Sequence, residues 1–318
     1  MEDSLQNKYK FIKKLGTGAY GSVKKYRDKE TKQDVAIKVI TFKNEDHFIP
    51  QFIYREYTLL SIVNHPNIIK IIKRFKTQNS MAFVFEYLSS DLHSVIYDNE
   101  ETYLKPEIIK EYLFQILRGV DYLHRNLILH LDLKPANILI DTNNRVKICD
   151  FGLANTYTVP PKEQNIHVQT YPYRAPEVSL GDTYYGTPAD MWSVGCIFFE
   201  MAHGYTLFQG EDEEETFKNL IEIMGTPTSK TWPDVEYLPN YAKCGKNIIG
   251  KGLEKCNRRL DAKGMDLLKK MLVMNPHNRI YADEALNHEY FADLDIRKFP
   301  INQFYSFYLL KILFFIYK

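Results

Sequence analysis

The pattern of apolar and polar side chains divides the chain into a strand-rich part and a helix-rich part. Residues 9–40 alternate in the manner of strands, and the apolar runs at 68–75 and 81–85 continue that character. Between them a helix is predicted at about 50–63, with a proline near its first turn. From Lys105-Pro106 to Arg125 the apolar side chains recur at helical spacing. The pattern therefore predicts a small sheet followed by a larger helical unit with its own buried helix.

Composition excludes some classes of function. A chain of 318 residues can form one large domain or two lobes with a core between them. Its 41 Lys and Arg balance 40 Asp and Glu, so a net charge of +1 recruits neither nucleic acid nor an acidic membrane. The four cysteines form no CxxC pair and no secretory leader precedes them, which makes us expect reduced thiols in the cytoplasm or nucleus.

One segment stands apart from this composition. Phe304–Tyr317 is strongly aromatic and aliphatic, with Lys311 near its middle. It is shorter than the ~20 apolar residues that a membrane-spanning helix needs. We expect it to pack on the folded body or on a partner surface rather than to anchor in a membrane. Aggregation of this tail is the remaining alternative.

A glycine-rich turn follows the first predicted strand. In Gly16-Thr17-Gly18-Ala19-Tyr20-Gly21 the glycines let backbone amides approach phosphate oxygens without a Cβ in the way. The same spacing occurs in dinucleotide-binding sites, which need a helix directly after the turn. Here Val23-Lys24-Lys25-Tyr26 resumes as a strand. A hairpin covering a nucleotide therefore fits better than a dinucleotide-binding crossover.

A lysine and a glutamate suggest an ion pair. Lys38 ends the β-branched strand Val35-Ala36-Ile37-Lys38, and Glu56 lies beside the apolar face of the helix predicted at 50–63. Most lysines in such a position are solvated surface groups, and Glu56 also reads as an ordinary surface glutamate. If the two side chains meet, the glutamate would direct the ammonium toward phosphate groups.

The stretch His130-Leu131-Asp132-Leu133-Lys134-Pro135-Ala136-Asn137 places an acid, a base and an amide directly after an apolar run. A second acid, Asp150, follows in Asp150-Phe151-Gly152 at the end of another short apolar strand. Two acids and an amide on loops that end strands can bind a divalent metal and orient a hydroxyl. Phosphoryl transfer requires those parts, because its transition state needs positioning and charge neutralisation. Taken alone, the stretch fits two solvated turns equally well.

Six motifs in this order resemble those of the eukaryotic protein kinases. They are Gly16–Val23, Val35–Lys38, Glu56, His130–Asn137, Asp150–Gly152 and Ala175-Pro176-Glu177. The resemblance covers about residues 9–292 and implies the two-lobed α+β kinase fold. It implies a small, mainly β lobe at about 9–87 and a larger, mainly α lobe at about 88–292. Residues 293–318 form the apolar, aromatic C-terminal tail.

Finer features are similar to the cyclin-dependent kinases, with the cyclin-activating and transcription-linked members closest. These features are Pro50–Glu56, Tyr173–Glu177, Asp190–Cys196, Gly225–Thr228 and Trp232–Asp234. The resemblance implies a cyclin-like activator at the helix predicted at 50–63. Mitogen-activated kinases are the nearest competitors, but their activation-loop Thr-x-Tyr is missing.

The resemblance implies catalytic roles for four residues. Asp132 would accept the proton of the substrate hydroxyl, and Lys134 would steady the γ-phosphate of ATP. Lys38 would hold the α- and β-phosphates, with Glu56 as its orienter. The implied ligands of Mg²⁺ are Asn137 and Asp150.

The resemblance also implies an ATP site between the lobes, with the adenine facing the hinge and the bulky Phe85 closing its rear. The implied nucleotide-binding residues are Leu15, Gly16, Thr17, Gly18, Ala19, Tyr20, Gly21, Val23, Ala36, Lys38, Phe85, Glu86, Leu88, Asp91, Lys134, Asn137, Leu139 and Asp150. Three supporting roles are also implied. An apolar stack would consist of Leu60, Ile71, His130 and Phe151. Glu177 and Arg279 would form a buried ion pair, and Asp190 would anchor the backbone.

Two departures from the family bear on regulation. Leu131 stands where most members carry an arginine that receives an activation-loop phosphate, and Asn165 stands where the phosphothreonine would be. We expect that phosphorylation at this position does not order the loop. In the glycine-rich turn, Ala19-Tyr20 replaces a regulatory Thr-Tyr pair. Tyr20 is equally compatible with an inhibitory phosphorylation site and with an ordinary loop aromatic.

The expected reaction is transfer of the ATP γ-phosphate to Ser or Thr of protein substrates, since Lys134 stands where Ser/Thr enzymes carry lysine. Thr170 and Arg174 shape the pocket for the residue after the phosphoacceptor, and the resemblance implies that this pocket favours proline, that is, Ser/Thr-Pro sites. Gln169 and Pro172 are unusual in that pocket. The alternatives are a mitogen-activated type that needs no cyclin and a pseudokinase scaffold.

Overall fold

The N-terminal strands form one antiparallel sheet in the computed structural model, which describes residues 5, 7–18, 21–41, 51–76, 80–98 and 103–300. The order in the sheet is β1-β2-β3-β5-β4. The bounds are β1 Tyr9–Gly18, β2 Gly21–Asp28, β3 Asp34–Thr41, β4 Ile71–Lys76 and β5 Ser80–Glu86. Helix α1, Gln51–Ile62, lies between β3 and β4 in the chain.

Strand β5 of this sheet is buried on both faces. Successive side chains of a strand point to opposite faces, and β5 divides accordingly. Ala82 and Val84 join a small cluster with Tyr9. Met81 and Phe83 belong to the main core, together with Ile53 of α1. The helix therefore packs on the face of the sheet opposite the N-terminal cluster.

Helices are the main regular elements of the described residues 88–98 and 103–300. The helices are α2 Leu92–Tyr97, α3 Pro106–Arg125, α4 Pro176–Ser179, α5 Pro188–His203, α6 Glu213–Met224, α7 Leu253–Cys256, α8 Ala262–Met271 and α9 Ala282–Leu286. Strand β6, Ser90–Asp91, directly precedes α2. The short strands β7 Ile128–Leu129, β8 Ile138–Ile140, β9 Val146–Ile148 and β10 Asn155–Thr156 lie between α3 and α4. This arrangement confirms the predicted α+β fold class.

The strand predicted from residue 68 begins later than expected. Strand β4 starts at Ile71, and Ile68 instead forms an isolated parallel bridge with Ile148 of β9. Ile69 N donates to Ile148 O at 2.9 Å, and Ile148 N donates to Asn67 O at 2.9 Å. These residues therefore join the sheet-rich part to the helical part.

Within the described residues, no helix is both long enough and apolar enough to cross a bilayer. The apolar segment Phe304–Tyr317 lies outside the described residues, so the expectation that it packs on the folded body stays a prediction.

A buried ion pair joins distant parts of the helical region. Arg279 Nη1 and Nη2 donate to the two carboxylate oxygens of Glu177 at 2.8 and 2.9 Å, and both side chains are fully buried. Arg279 also donates to the backbone oxygens of Val273 and Pro188 and lies over the ring of Trp192. This pair was expected from the resemblance, and the contact is present. Bidentate geometry with further hydrogen bonds compensates the cost of burying both charges.

We predict that Arg279→Leu lowers the free energy of unfolding by roughly 3–5 kcal/mol, because it leaves the Glu177 carboxylate buried without its cation. Urea unfolding followed by circular dichroism measures the loss. The control is Arg297→Leu, whose partner Asp295 and own side chain are exposed, so we expect little change in the free energy of unfolding. Equal losses in the two variants would contradict the prediction.

Candidate active site

Lys38 contacts two carboxylates at the boundary between the sheet and the helical region. Its Nζ lies 2.7 Å from Glu56 Oε1 and 3.0 Å from Asp150 Oδ1. Strand β3 supplies the lysine, helix α1 the glutamate, and the loop after β9 the aspartate. Burial alone would lower the pKa of Lys38, but the Glu56 and Asp150 carboxylates outweigh it and raise that pKa to about 12. Lys38 is therefore a permanent cation.

Asp150 sits in a left-handed backbone conformation with φ of +60°. Its neighbour Phe151 is fully buried, with its ring edge-on to His130 at a centroid distance of 5.1 Å. Burial would raise the pKa of Asp150, but Lys38 outweighs it and lowers the pKa below its ordinary value. The buried phenylalanine and the backbone turn together direct an ionised carboxylate toward Lys38.

Asp190, in the first turn of α5, fixes the loop that carries Asp132. Its carboxylate is fully buried and accepts hydrogen bonds from the backbone N–H groups of His130 and Leu131, each at 2.9 Å. His124 Nε2 lies 3.0 Å from the same carboxylate. The role of backbone anchor, expected from the resemblance, has its contacts in the structure.

Asp132 lies in a cluster of polar side chains. Thr170 Oγ1 donates to Asp132 Oδ1 at 2.7 Å, and Lys134 Nζ lies 2.9 Å from Asp132 Oδ2. Lys134 Nζ also donates to Thr170 Oγ1 at 2.8 Å. These three side chains form a closed triangle around the carboxylate. A hydroxyl that replaces Thr170 on Asp132 would meet both a proton acceptor and a cation.

The residues suited to a divalent metal are Asn137 and Asp150. Asn137 Nδ2 donates to Asp132 O at 2.7 Å and to Asp132 Oδ2 at 3.1 Å, so the amide nitrogen is committed to Asp132. Asn137 Oδ1 and the Asp150 carboxylate are oxygen donors of the kind that Mg²⁺ prefers. In the part of the chain that the structure describes, no group of three or more His, Cys, Asp or Glu could hold a metal ion. Two protein ligands fit Mg²⁺, which is usually bound through few carboxylates together with waters and phosphate oxygens.

The residues implied for nucleotide binding lie on paired strands. Gly16 is opposite Val23 in β1 and β2, and Ala36 is opposite Phe85 in β3 and β5. The remaining described members are Leu15, Thr17 and Gly18 of β1, Gly21 of β2, Glu86 of β5, the buried Leu88 after it, and Asp91 of β6 opposite Leu139 of β8. Ala19 and Tyr20 lie outside the described residues, so the phosphorylation hypothesis for Tyr20 stays a prediction.

Two of these residues have structural contacts. The side chain of Asp91 accepts from Ser94 N at 2.9 Å and caps α2. Glu86 Oε1 accepts from Lys70 N at 3.0 Å and pairs with Lys147 at 2.9 Å. A role of Glu86 in adenine binding would therefore fall to its backbone.

The structure also shows the surroundings of Leu131 and Asn165, the two residues that depart from the kinase pattern. Leu131 is buried, with φ of +61°, and Asn165 is exposed. Asn165 O accepts from Tyr185 Oη at 2.6 Å, and Asn165 Oδ1 accepts from His167 N at 2.9 Å. An apolar side chain thus stands where the kinase pattern carries a phosphate receiver, and neutral groups hold Asn165.

A comparison with protein-family models matches residues 9–291 to the protein kinase domain. The match covers most of the chain, so the chain belongs to the protein kinase family. It is a phosphotransferase that uses ATP and acts on protein substrates. The predicted lobe boundary near residue 87 stays a prediction.

Within this family the site can be assigned its chemistry. Lys38 would hold phosphate oxygens, and Asp132 would take the proton of the acceptor hydroxyl. Asn137 and Asp150 would hold Mg²⁺, which neutralises charge on the phosphates when it is bound. In these roles the residues would contribute position and charge, the two things that phosphoryl transfer needs.

The bond from Thr170 to Asp132 was not predicted. From the sequence, Thr170 was expected only in the pocket for the residue after the acceptor, because no local spacing connects positions 132 and 170. The buried side chain of Gln169 was likewise noted only as unusual. The sole signal for either residue was its position just before Ala175-Pro176-Glu177.

We predict that Asp132→Asn lowers kcat by about 10²- to 10⁴-fold, because the amide keeps the shape of the carboxylate but cannot accept the hydroxyl proton. Transfer of ³²P from ATP to protein substrate measures the loss. Asp293→Asn, at an exposed carboxylate paired with Lys110, is the control and should retain activity. A kcat of Asp132→Asn within threefold of the unaltered chain would remove Asp132 from the proposed role.

Proposed function

We propose that the chain is a serine/threonine protein kinase that prefers sites followed by proline. The observation that supports it most is the triangle of Asp132, Lys134 and Thr170. The lysine and the threonine crowd the carboxylate, so an acceptor hydroxyl must come close to the loop. Serine and threonine carry the hydroxyl on Cβ, next to their own backbone. Tyrosine carries it much farther out and would need a more distant peptide platform.

The preference for proline is supported by the backbone at Gln169. This residue has φ of +62°, and its carbonyl oxygen accepts from Arg174 Nη2 at 3.1 Å. Arg174 Nε also donates to Val168 O at 2.9 Å, and Arg174 Nη1 pairs with Glu213 at 2.9 Å. A peptide N–H that enters this pocket loses water and finds the Gln169 carbonyl already bonded. Proline has no N–H and avoids that cost.

The contacts of the activation loop support activity without a phosphate at position 165. Gln164 N donates to Thr183 O at 2.8 Å, and Gln164 Nε2 donates to Tyr185 O at 3.0 Å. Tyr185 returns a hydrogen bond to Asn165 O. Neutral hydrogen bonds therefore hold the part of the loop where relatives carry the phosphothreonine.

The proposed subclass is the cyclin-dependent kinases, on the resemblance of the motifs. A cyclin-like activator would bind α1. One observation favours the alternative of a partner-independent, mitogen-activated type: the Lys38–Glu56 contact is already closed in the single chain. Intact positions at Lys38, Glu56, Asp132, Asn137 and Asp150 argue against a pseudokinase scaffold.

The proposed function predicts that the purified chain phosphorylates a Ser-Pro peptide with Mg²⁺ and ATP. We expect kcat/KM to be about tenfold or more higher than for the matched Ser-Ala peptide, and no transfer to a Tyr peptide. The transfer of ³²P from ATP to each peptide measures these rates, and the Asp132→Asn variant gives the background. Phosphotyrosine as the main product would overturn the proposed specificity. Activity that appears only after a cyclin-like protein is added would establish dependence on a partner.

We also predict that phosphatase treatment of the purified chain leaves its activity within about twofold. The double variant Leu131→Arg, Asn165→Thr should instead gain activity when an activating kinase phosphorylates Thr at 165, since a receiver and a phosphate are then both present. Leu131→Arg alone is the matched control and should show no gain. A tenfold loss after phosphatase treatment of the unaltered chain would contradict the prediction.

A further inference from the structure

The side chain of Gln169 is buried and forms hydrogen bonds to three backbone or hydroxyl groups. Its Nε2 donates to Ala189 O at 3.0 Å and to Ser193 Oγ at 2.9 Å, both on α5. Its Oε1 accepts from Ala175 N at 3.0 Å. Only 5% of the residue is exposed. The amide therefore joins the segment before α4 to the core helix α5.

The orientation of this amide follows from its neighbours. Ala175 presents an N–H and Ala189 presents a carbonyl, so a flipped amide would face donor to donor and acceptor to acceptor. Ser193 Oγ donates to Tyr173 O at 2.8 Å, which leaves the hydroxyl oxygen to accept from Gln169. The network is satisfied in one orientation only.

The backbone of Gln169 is equally committed. Its N–H donates to Leu131 O at 2.9 Å, and its carbonyl accepts from Arg174. Each backbone and side-chain polar group of the residue thus has a partner. A left-handed conformation is unfavourable for a residue with a Cβ and persists only where the surroundings determine it. The three bonds of the side-chain amide supply that determination.

We infer that Gln169 is a positioning residue for residues 168–175 of this chain. Its buried amide fixes the shape of the pocket that selects proline in the substrate. The inference rests on the proposed function and deepens it. The amide bonds hold φ at Gln169, which directs the carbonyl to Arg174. The following residue, Thr170, is thereby kept on Asp132. The bonds of the side-chain amide are neutral, and the arrangement needs no phosphate.

The test uses the full chain with Gln169→Gly. Glycine adopts positive φ without a steric penalty, so the variant removes the three amide bonds while it permits the same backbone. We expect the Ser-Pro over Ser-Ala ratio of kcat/KM to fall roughly tenfold and the peptide KM to rise. The KM for ATP should stay within twofold, because the nucleotide residues are untouched. Asn247→Gly is the matched control, at an exposed residue with φ of 55°, and should change none of these values.

A second variant distinguishes loss of the Gln169 side-chain hydrogen bonds from a general loss of structure. Ser193→Ala removes one of the two acceptors of Gln169 Nε2. If both variants act through the same bond, the effect of the double variant on the Ser-Pro ratio will be smaller than the product of the single effects. If the effect of the double variant on the Ser-Pro ratio equals the product of the two single effects, Ser193 does not act through Gln169. That part of the inference is then overturned.

Amide hydrogen exchange of residues 168–175 tests the tether without any substrate. We expect faster exchange in this segment for Gln169→Gly and no change in β3 or β5. Unchanged exchange together with an unchanged Ser-Pro ratio would refute the inference. If the unaltered chain does not distinguish Ser-Pro from Ser-Ala, the proposed proline preference fails, and the exchange result alone decides whether Gln169 is a tether.

Discussion

The active site depends on one buried carboxylate. Asp190 accepts hydrogen bonds from two consecutive backbone N–H groups, those of His130 and Leu131, and contacts His124. Burial would raise the pKa of Asp190, but the hydrogen bonds from His124 and the backbone outweigh it and keep the pKa below its ordinary value. A buried charge is tolerable only with such partners. The direction of Asp132 and the position of the Leu131 carbonyl both follow from this anchor.

The second half of the site depends on packing between the sheet and the helical region. The bridge between Ile68 and Ile148 fixes the strand that ends just before Asp150. Gly119 of α3 makes this approach possible, because a Cβ there would lie 2.7 Å from Ile148 Cδ1 and 3.1 Å from Asn67 O. A Cβ at that position would force the end of the Ile148 side chain to move and would crowd the Asn67 carbonyl.

Much of this arrangement could be predicted from the sequence, and the limit has a physical reason. Periodicity located α3, and ordered motifs led to the expected contacts of Lys38 with Glu56 and of Glu177 with Arg279. The start of β4 was wrong by a few residues, since a tertiary bridge rather than local alternation decides where Ile68 pairs. The bonds of Gln169 depend on groups far apart in the chain. No local pattern of side chains contains that information.

The segment before α4 shows how a loop can be ordered without a charged switch. Glu200 of α5 accepts from Tyr173 Oη at 2.7 Å and from Tyr97 Oη at 2.8 Å, which fixes the residue next to Arg174. Gln169 fixes the other end of the same segment. A phosphate–arginine contact at a surface is weakened by salt and depends on a second enzyme. Buried hydrogen bonds depend on neither, so this segment is ordered when the chain folds.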